Sequence, residues 1–369
     1  MHSENYPNRV VMHIDFDYFY AQCEEVRSPE LKTKPVCVCV FSDRGGDSGA
    51  IATANYTARK YGVKSGIPIA FAKKRLEERQ DAVFLPVDFE YYTEMSEKAM
   101  EIMKKDVDVF EYVGRDEAYL DVTKRVEGDF KKASHLAQQI KNSIRDKIKL
   151  SCSVGISQNK LISKIASNYQ KPDGLTIVTP EKVEEFLEQL KIRTIPGIGG
   201  KTEKIFSEMK VETIQELKKI DVFTLNNKFG RKSGTYIYNA ARGIDNEPVK
   251  EKEGRIQYSK IMTLKKDSKD YSFLSESIKE LCVEVHEVIK KNNQMFKSVG
   301  IHFVQSDLSN KSKSRMLRNP TADLQELQKN AEALLVDALE NQTITIRRLG
   351  VKVAELSEIK GQSDITNYF

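Results

Sequence analysis

Two short acidic segments constrain this chain more than any other feature. The first is His13-Ile14-Asp15-Phe16-Asp17-Tyr18-Phe19-Tyr20, and the second, about a hundred residues on, is Arg115-Asp116-Glu117-Ala118-Tyr119-Leu120-Asp121. Each puts carboxylates at the end of, or inside, an apolar strand-like run. Acidic side chains are rarely buried unless they are paired or bound to a metal. Val10 to Ile14 reads as a strand covered on both faces, with Asp15 near its end. Adjacent strand residues point to opposite faces, so Asp116 and Glu117 cannot both serve one site from an ideal strand. A hairpin turn or bulge at Gly114 removes the conflict. If the two segments meet, they form a hard, oxygen-rich site of the kind Mg²⁺ needs when it also holds phosphates. Either segment alone reads more readily as a solvated strand end with ordinary charges.

Length and composition bound the rest. The 369 residues suffice for roughly two to four domains. Charged residues make up 31% of the chain, and no apolar run approaches the ~20 residues of a membrane span. The N-terminus, Met1-His2-Ser3-Glu4-Asn5, lacks the basic and apolar regions of a signal peptide. The five cysteines show no zinc spacing, and Cys37 and Cys39 alternate on one face of a strand. Reduced thiols in a cytoplasmic protein without membrane attachment are the expectation. A net charge of +5 permits a polyanionic partner without demanding one.

Residues 10–16, 35–41 and 151–156 read as strands, residues 107–122 as a hairpin, and residues 90–105, 130–148 and 160–169 as helices. Ala50 to Gly62 reads as a short helix stopped by its glycine. This alternation suits strands from distant parts of the chain sharing one sheet. Residues 180–243 are helical, broken at Ile195-Pro196-Gly197-Ile198-Gly199-Gly200. A charged linker follows. Beyond it lies a β-α-β-β-α-β pattern, with strands near 256–264, 297–305, 312–318 and 345–355 and helices over 272–291 and 321–340.

Three further motifs bear on function. Pro196-Gly197-Ile198-Gly199 has the form of a helix-hairpin-helix, in which Gly197 and Gly199 let backbone N–H groups approach phosphates, with Lys201 and Lys204 adding charge. An ordinary tight helix corner is the competing reading. Lys311, Lys313 and Arg315 alternate along a strand and so share a face, which suits tracking a phosphate backbone or protecting a sheet edge. Tyr18, Phe19 and Tyr20 follow the first carboxylates. Phe19 suits a core position, whereas one of the tyrosines must lie close to whatever the metals hold.

Taken in order, the motifs resemble the Y-family, translesion DNA polymerases of the archaeal type related to bacterial polymerase IV. The resemblance runs nearly end to end. It rests on Asp15-Phe16-Asp17-Tyr18-Phe19-Tyr20-Ala21, on Ala52-Thr53-Ala54-Asn55-Tyr56 with Arg59-Lys60-Tyr61-Gly62-Val63, and on Asp116-Glu117-Ala118-Tyr119-Leu120-Asp121. Ser153-Val154-Gly155-Ile156-Ser157 with Asn159-Lys160, Lys171-Pro172-Asp173-Gly174 and Ile195-Pro196-Gly197-Ile198-Gly199 complete it. One departure stands out: Gly114-Arg115 replaces the Ser-Ile usual in that family.

The resemblance implies an α+β multidomain, right-hand polymerase. Its parts would be a palm of mixed sheet and helices (1–18 and 84–178), small fingers (19–83), a helical thumb (179–245), a linker (246–254), a β-α-β-β-α-β little finger (255–356) and a tail (357–369). It implies template-directed addition of deoxynucleotides to a primer by two-metal phosphoryl transfer, with lesion bypass at low fidelity and without proofreading. Asp15, Asp116 and Glu117, with the Phe16 carbonyl, would hold two Mg²⁺ ions. Tyr18, Phe19, Tyr20, Thr53, Tyr56, Arg59 and Lys171 would surround the incoming nucleotide, Tyr20 as the gate against a ribose 2′-hydroxyl. Gly197, Gly199, Lys201, Lys311, Lys313 and Arg315 would contact primer-template DNA. The C-terminal Gln362-Ser363-Asp364-Ile365-Thr366-Asn367-Tyr368-Phe369 resembles a sliding-clamp-binding peptide, with Gln362, Ile365, Tyr368 and Phe369 as its contacts. A monomer is expected. A nucleotidyl cyclase would share the palm but lack the hairpin, the basic strand and the tail; a DNA-binding scaffold would not need the carboxylates.

Overall fold

The computed structural model describes residues 8–251, 254, 256–340 and 344–359. The chain forms two compact units: Met1–Val40 with Ala50–Lys252, and Glu253–Phe369 with Phe41–Gly49.

The chain begins with β1 (Val11–Phe16), α1 (Phe19–Arg27), β2 (Val36–Phe41) and β3 (Gly49–Ala54). Next come α2 (Tyr56–Arg59), α3 (Ile69–Arg75), β4 (Val83–Pro86) and α4 (Phe89–Lys104). The hairpin β5 (Val109–Gly114) and β6 (Glu117–Asp121) leads to α5 (Phe130–Ile148), β7 (Cys152–Ser157), α6 (Lys160–Tyr169) and β8 (Leu175–Ile177). Five strands make one sheet in the order β5-β6-β1-β7-β8, so segments distant in sequence do share a sheet. β1 is its centre. Met12, Ile14 and Phe16 enter the main core with residues of α4 and α5, including Tyr92, Met103, Ile140 and Ile144. His13 and Asp15 alternate with them and point to the opposite face, under α6. Gly155 on β7 sets that close approach, because a Cβ there would stand 2.0 Å from the Ser163 carbonyl oxygen of α6.

The helix expected over residues 50–62 is corrected. Gly49–Ala54 is a strand in a small sheet ordered β3-β2-β4, and only Tyr56–Arg59 is helical. Asn55 divides the two: its side chain accepts from the Ala58 N–H as an N-cap, while its own N–H bonds back to Val36. β2 is a wall between two cores, with Val36 and Val38 in the main one and Cys37 and Cys39 facing Ile51, Ile69 and Ala72. All five cysteines are buried and free.

Residues 183–240 form α7 (Val183–Glu188), α8 (Gly200–Glu208), α9 (Ile214–Lys218), α10 (Val222–Phe229) and α11 (Arg231–Ala240). Phe206, Ile214, Leu217 and Leu225 bury a core that continues into Leu161, Ile162 and Ile165 of α6. The stretch read as a charged linker is held by side-chain and backbone contacts through residue 250. The Asp245 carboxylate accepts from the Leu161 N–H, Asn159 donates to the Gly243 carbonyl, and the Lys250 N–H donates to Glu111. Val249 is buried against Val11 and Tyr119. An apolar residue and a buried acceptor, the Glu111 carboxylate paired with Lys160 at 2.9 Å, hold this segment down.

The second unit has β9 (Gln257–Ser268), α12 (Tyr271–Lys291), β10 (Gln294–Gln305), β11 (Asn310–Thr321), α13 (Leu324–Leu339) and β12 (Ile346–Glu358). Its elements follow the expected β-α-β-β-α-β order, and its antiparallel sheet runs β11-β10-β12-β9. Leu274, Ile278, Leu281 and Val285 of α12 pack with α13 on Val299, Ile301, Phe303, Leu349 and Val351. Strand β12 passes residue 356, the boundary expected for this region, and ends at Glu358. The tail residues Gln362, Ile365, Tyr368 and Phe369 lie outside the described residues.

Candidate active site

The register of β1 brings the two acidic segments together. Asp15 lies directly opposite Glu117 on β6 and opposite Ser153 on β7. A register shift between Tyr112 and Gly114 bends the hairpin, and Arg115 and Asp116 form its turn. Asp116 therefore leaves the strand alternation, while Glu117 stays in it facing Asp15. The Phe16 N–H donates to the Asp116 carbonyl at 2.8 Å, tying the turn to the end of β1.

Two lysines and a histidine balance these charges. Lys171 pairs with Asp15, and Lys164 of α6 pairs with Glu117. His13 is fully buried, with Nε2 3.1 Å from Glu117 and Nδ1 2.7 Å from the Ser167 hydroxyl. Burial lowers its pKa, and its Nε2 makes a hydrogen bond with the Glu117 carboxylate. That hydrogen bond, reinforced by Lys164, pulls the Glu117 pKa down to about 2 against the opposing effect of burial. Asp15 is raised by burial, which Lys171 only partly offsets. Asp116 is raised by burial and by repulsion from Glu117. The ligand atoms of His13, Asp15 and Glu117 lie within 4.8 Å of one another. Three carboxylates crowded at one sheet end, two of them with raised pKa, form a donor set suited to hard divalent cations.

Asp17 has a different task. Its carboxylate accepts from Ser153 Oγ (2.8 Å), Ser151 Oγ (3.0 Å) and the Asp173 N–H (2.9 Å), so it anchors the loop that carries Lys171. Around the site, Tyr18 donates to Glu25 and meets Tyr56 ring to edge at 5.1 Å, and burial pushes the Tyr56 phenol up to about 12. Arg59 donates to the Ala54 carbonyl and lies over the Tyr56 ring. Tyr20 is half-buried and stacks on Tyr92, with centroids 4.5 Å apart and planes at 14°. The Phe19 ring is in the main core.

The matches to known proteins agree along the whole chain. The impB/mucB/samB family model covers residues 14–168, its C-terminal domain model residues 255–366, and the DNA polymerase-iota thumb model residues 193–245. DNA polymerase IV of Nitrosopumilus maritimus is 79% identical over 361 residues, covering 98% of this chain and 99% of that one. This chain belongs to the Y family of DNA polymerases. Among solved structures, a Y-family chimera of Dbh and Dpo4 matches with a TM-score of 0.87 at 34% identity, covering 95% of this chain and 99% of that one. The insertion ternary complex of Dbh DNA polymerase matches with a TM-score of 0.68 at 34% identity and the same coverage. The protein is a DNA-directed DNA polymerase of the translesion class.

Within this polymerase, Asp15, Asp116, Glu117 and Lys171 come together as one cluster, while the other sequence-derived positions are spread over both units. Gly197 has φ +87°, and Gly199 caps α8, which carries exposed Lys201. Lys311, Lys313 and Arg315 do share a face. Their partners across the ladder are Phe303, Ile301 and Val299, which are buried beneath the helices, and Lys313 pairs with Asp337 of α13 at 2.6 Å. The alternate register forms the open face: Ser298, Gly300 and His302 of β10, Ser312 and Ser314 of β11, Arg348, Gly350 and Lys352 of β12. Its cations, Arg348 and Lys352, escaped the reading from sequence, as did His13 and Lys164 at the carboxylates. The i, i+4 spacing of Arg348 and Lys352 on a strand was the available signal.

Proposed function

We propose that Asp15, Asp116 and Glu117, with the Phe16 carbonyl, hold two Mg²⁺ ions and catalyse template-directed addition of deoxynucleotides to a primer 3′-hydroxyl. The observation that carries this reading is the direct opposition of Asp15 and Glu117 with Asp116 in the adjoining turn. The metal supplies charge neutralisation and a more acidic primer hydroxyl when bound. The protein's part is to place oxygen donors. His13 and Lys164 fix the Glu117 carboxylate, and Asp17 fixes the Lys171 loop. Lys171 on Asp15 stands where it can turn to a triphosphate, and Thr53, Tyr56 and Arg59 receive the same phosphates, with the Tyr18 and Phe19 backbone beside them. The Tyr20 ring excludes a 2′-hydroxyl.

Primer-template DNA would run against Gly197, Gly199 and Lys201 of the helical region. In the second unit it would meet the basic strand of Lys311, Lys313 and Arg315 together with the open face of Arg348 and Lys352. The insertion ternary complex known for Dbh supports substrates of this class. In this reading the palm is 1–18 with 84–178, the fingers 19–83, the thumb 179–245 and the little finger begins at 255. The enzyme works as a cytoplasmic monomer at low fidelity without proofreading. Gln362, Ile365, Tyr368 and Phe369 tether it to a sliding clamp. Among the described residues no helix is long and apolar enough to cross a membrane.

Primer extension under Mg²⁺ titration, with undamaged and damaged templates, tests the reading. Extension that depends on metal and template is expected. Cyclisation of a nucleoside triphosphate without a primer would favour the cyclase, and DNA binding without any turnover would favour the scaffold.

A further inference from the structure

The Tyr20 ring meets Tyr92, Phe89 and Phe19, and Phe89 is reached by Arg115 of the hairpin turn. On the inner side, Tyr20 stacks on Tyr92, which is fully buried and donates its hydroxyl to Glu24 at 2.7 Å. On the outer side, Phe89 meets Tyr20 at 6.0 Å with planes at 79°. Phe89 opens α4 and is 45% exposed, so burial alone does not fix its ring. Arg115 does. Its guanidinium lies 5.4 Å from the Phe89 centroid, and its Nε donates to Thr93 Oγ1 at 3.0 Å. The Thr93 hydroxyl in turn donates to the Phe89 carbonyl at 2.7 Å. Arg115 thus bridges the hairpin turn next to Asp116 to the first turn of α4.

We propose that Arg115 and Phe89 act as positioning residues for sugar discrimination, forming an outer brace that keeps the Tyr20 ring against the incoming sugar. A steric wall excludes a 2′-hydroxyl only to the extent that moving the wall is harder than rejecting the ligand. Tyr92 blocks retreat of the ring inward, and Phe89 blocks its outward swing. Aromatic edge contacts and an exposed cation–π contact are each worth about a few-fold in an equilibrium constant. The brace therefore tunes the selectivity that the ring creates. This inference rests on the reading of Tyr20 as the gate.

The test compares kcat/KM for one ribonucleotide and its deoxy counterpart in the parent, Tyr20→Ala, Phe89→Leu, Arg115→Met, Arg115→Lys and the double variant Tyr20→Ala/Phe89→Leu. Phe89→Leu should lower the deoxy-to-ribo ratio by about five- to tenfold, through a lower KM for the ribonucleotide, with deoxynucleotide kcat and KM near the parent values. Arg115→Met should lower it by about two- to fivefold, and Arg115→Lys should restore most of that loss by keeping a cation over the ring. Tyr20→Ala should lower it by orders of magnitude, and adding Phe89→Leu should lower it no further, because the brace acts through Tyr20. Thermal midpoints of all variants report folding. An unchanged ratio in Phe89→Leu beside a relaxed Tyr20→Ala overturns the brace and leaves the gate standing. An unchanged ratio in Tyr20→Ala overturns both. Equal losses for both sugars in Phe89→Leu and Arg115→Met assign these residues to structural support alone.

Discussion

The two principal sheets of this polymerase solve opposite electrostatic problems with similar means. Each is built around a central antiparallel strand, β1 in one and β10 in the other, and each places a histidine of lowered pKa on that strand. His13 is enclosed beneath α6, and its neighbours are Asp15, Glu117 and Lys164. His302 lies half-buried on the open face of the second sheet, and its charged neighbours are Lys352 and Arg348. The first arrangement concentrates negative charge and balances it with Lys164 and Lys171. The second presents cations among serines and glycines, on a face without a carboxylate in the register that defines it. Gly350 keeps that face flat, since a Cβ there would stand 2.2 Å from the His302 ring. On the proposed function, carboxylates at converging strand ends carry the chemistry and cations along an uncovered face carry the grip.

The largest effect that tests this division lies in the first sheet. Asp116→Ala or Asp15→Asn should reduce primer extension by about three orders of magnitude or more while primer-template affinity stays near that of the parent, because transfer depends on charge neutralisation at the carboxylates. Rapid-quench extension and fluorescence anisotropy measure the two quantities. Turnover near the parent rate would remove these residues from the site.

The second effect separates the two registers of β11 and β12. Neutralising Arg348 and Lys352 should weaken primer-template binding for all sequences alike and reduce the salt slope by about two units. Neutralising Lys311 and Arg315 should do less, since their register faces the helices, and Lys313→Met should add little because Asp337 already engages it. Binding isotherms at several salt concentrations decide the order. The reverse order would place the DNA on the β11 edge.

These comparisons also show what was legible in the amino-acid sequence. That the two acidic segments could share one site was readable, because carboxylates in apolar strand-like runs need partners and a glycine before Asp116-Glu117 permits the turn; their direct opposition came from the register. The split βαβ unit was readable from apolar stripes such as Leu274, Ile278, Leu281 and Val285. Alternation says which residues share a face but not which face meets the helices, so the partners of Lys311, Lys313 and Arg315 could not be assigned in advance. Residues 50–54 were misread because all five, small or apolar, fit both periods, and the N-cap role of Asn55 is fixed by Val36, whose N–H its side chain also accepts. His13, Lys164 and the bound segment 243–250 act through contacts spanning tens of residues or more, and no local pattern encodes those.

A smaller effect concerns the tail, which should alter neither chemistry nor grip. Two aromatic rings and an isoleucine at i, i+3 and i+4 can fill one hydrophobic pocket, and a short peptide that orders on binding should do so with roughly micromolar affinity. Tyr368→Ala with Phe369→Ala should leave extension without a clamp unchanged and remove stimulation by a sliding clamp, whose benefit is effective concentration at the primer end. Stimulation equal to that of the parent would move the clamp contact elsewhere.

The smallest effect probes the open face directly. Burial lowers the His302 pKa first, and the charges of Lys352 and Arg348 lower it further. The folded state therefore binds this proton less readily than the unfolded chain. The second unit should lose stability as pH falls below 6.5 and through the folded pKa, and His302→Gln should flatten that loss, a change on the order of a degree in thermal midpoint. The imidazole resonance of His302, followed by NMR in the intact chain, gives the sharper readout. It should titrate below 6.5 in the free enzyme, move up when Lys352 and Arg348 are neutralised, and move up when primer-template DNA binds. The last shift follows because phosphates laid across the face offset both cations and favour the protonated ring. A pKa unmoved by DNA would mean that the polyanion does not lie on this face. The sheet's cations would then serve solubility, and the contrast with the carboxylate sheet would be one of charge sign without a matching division of labour.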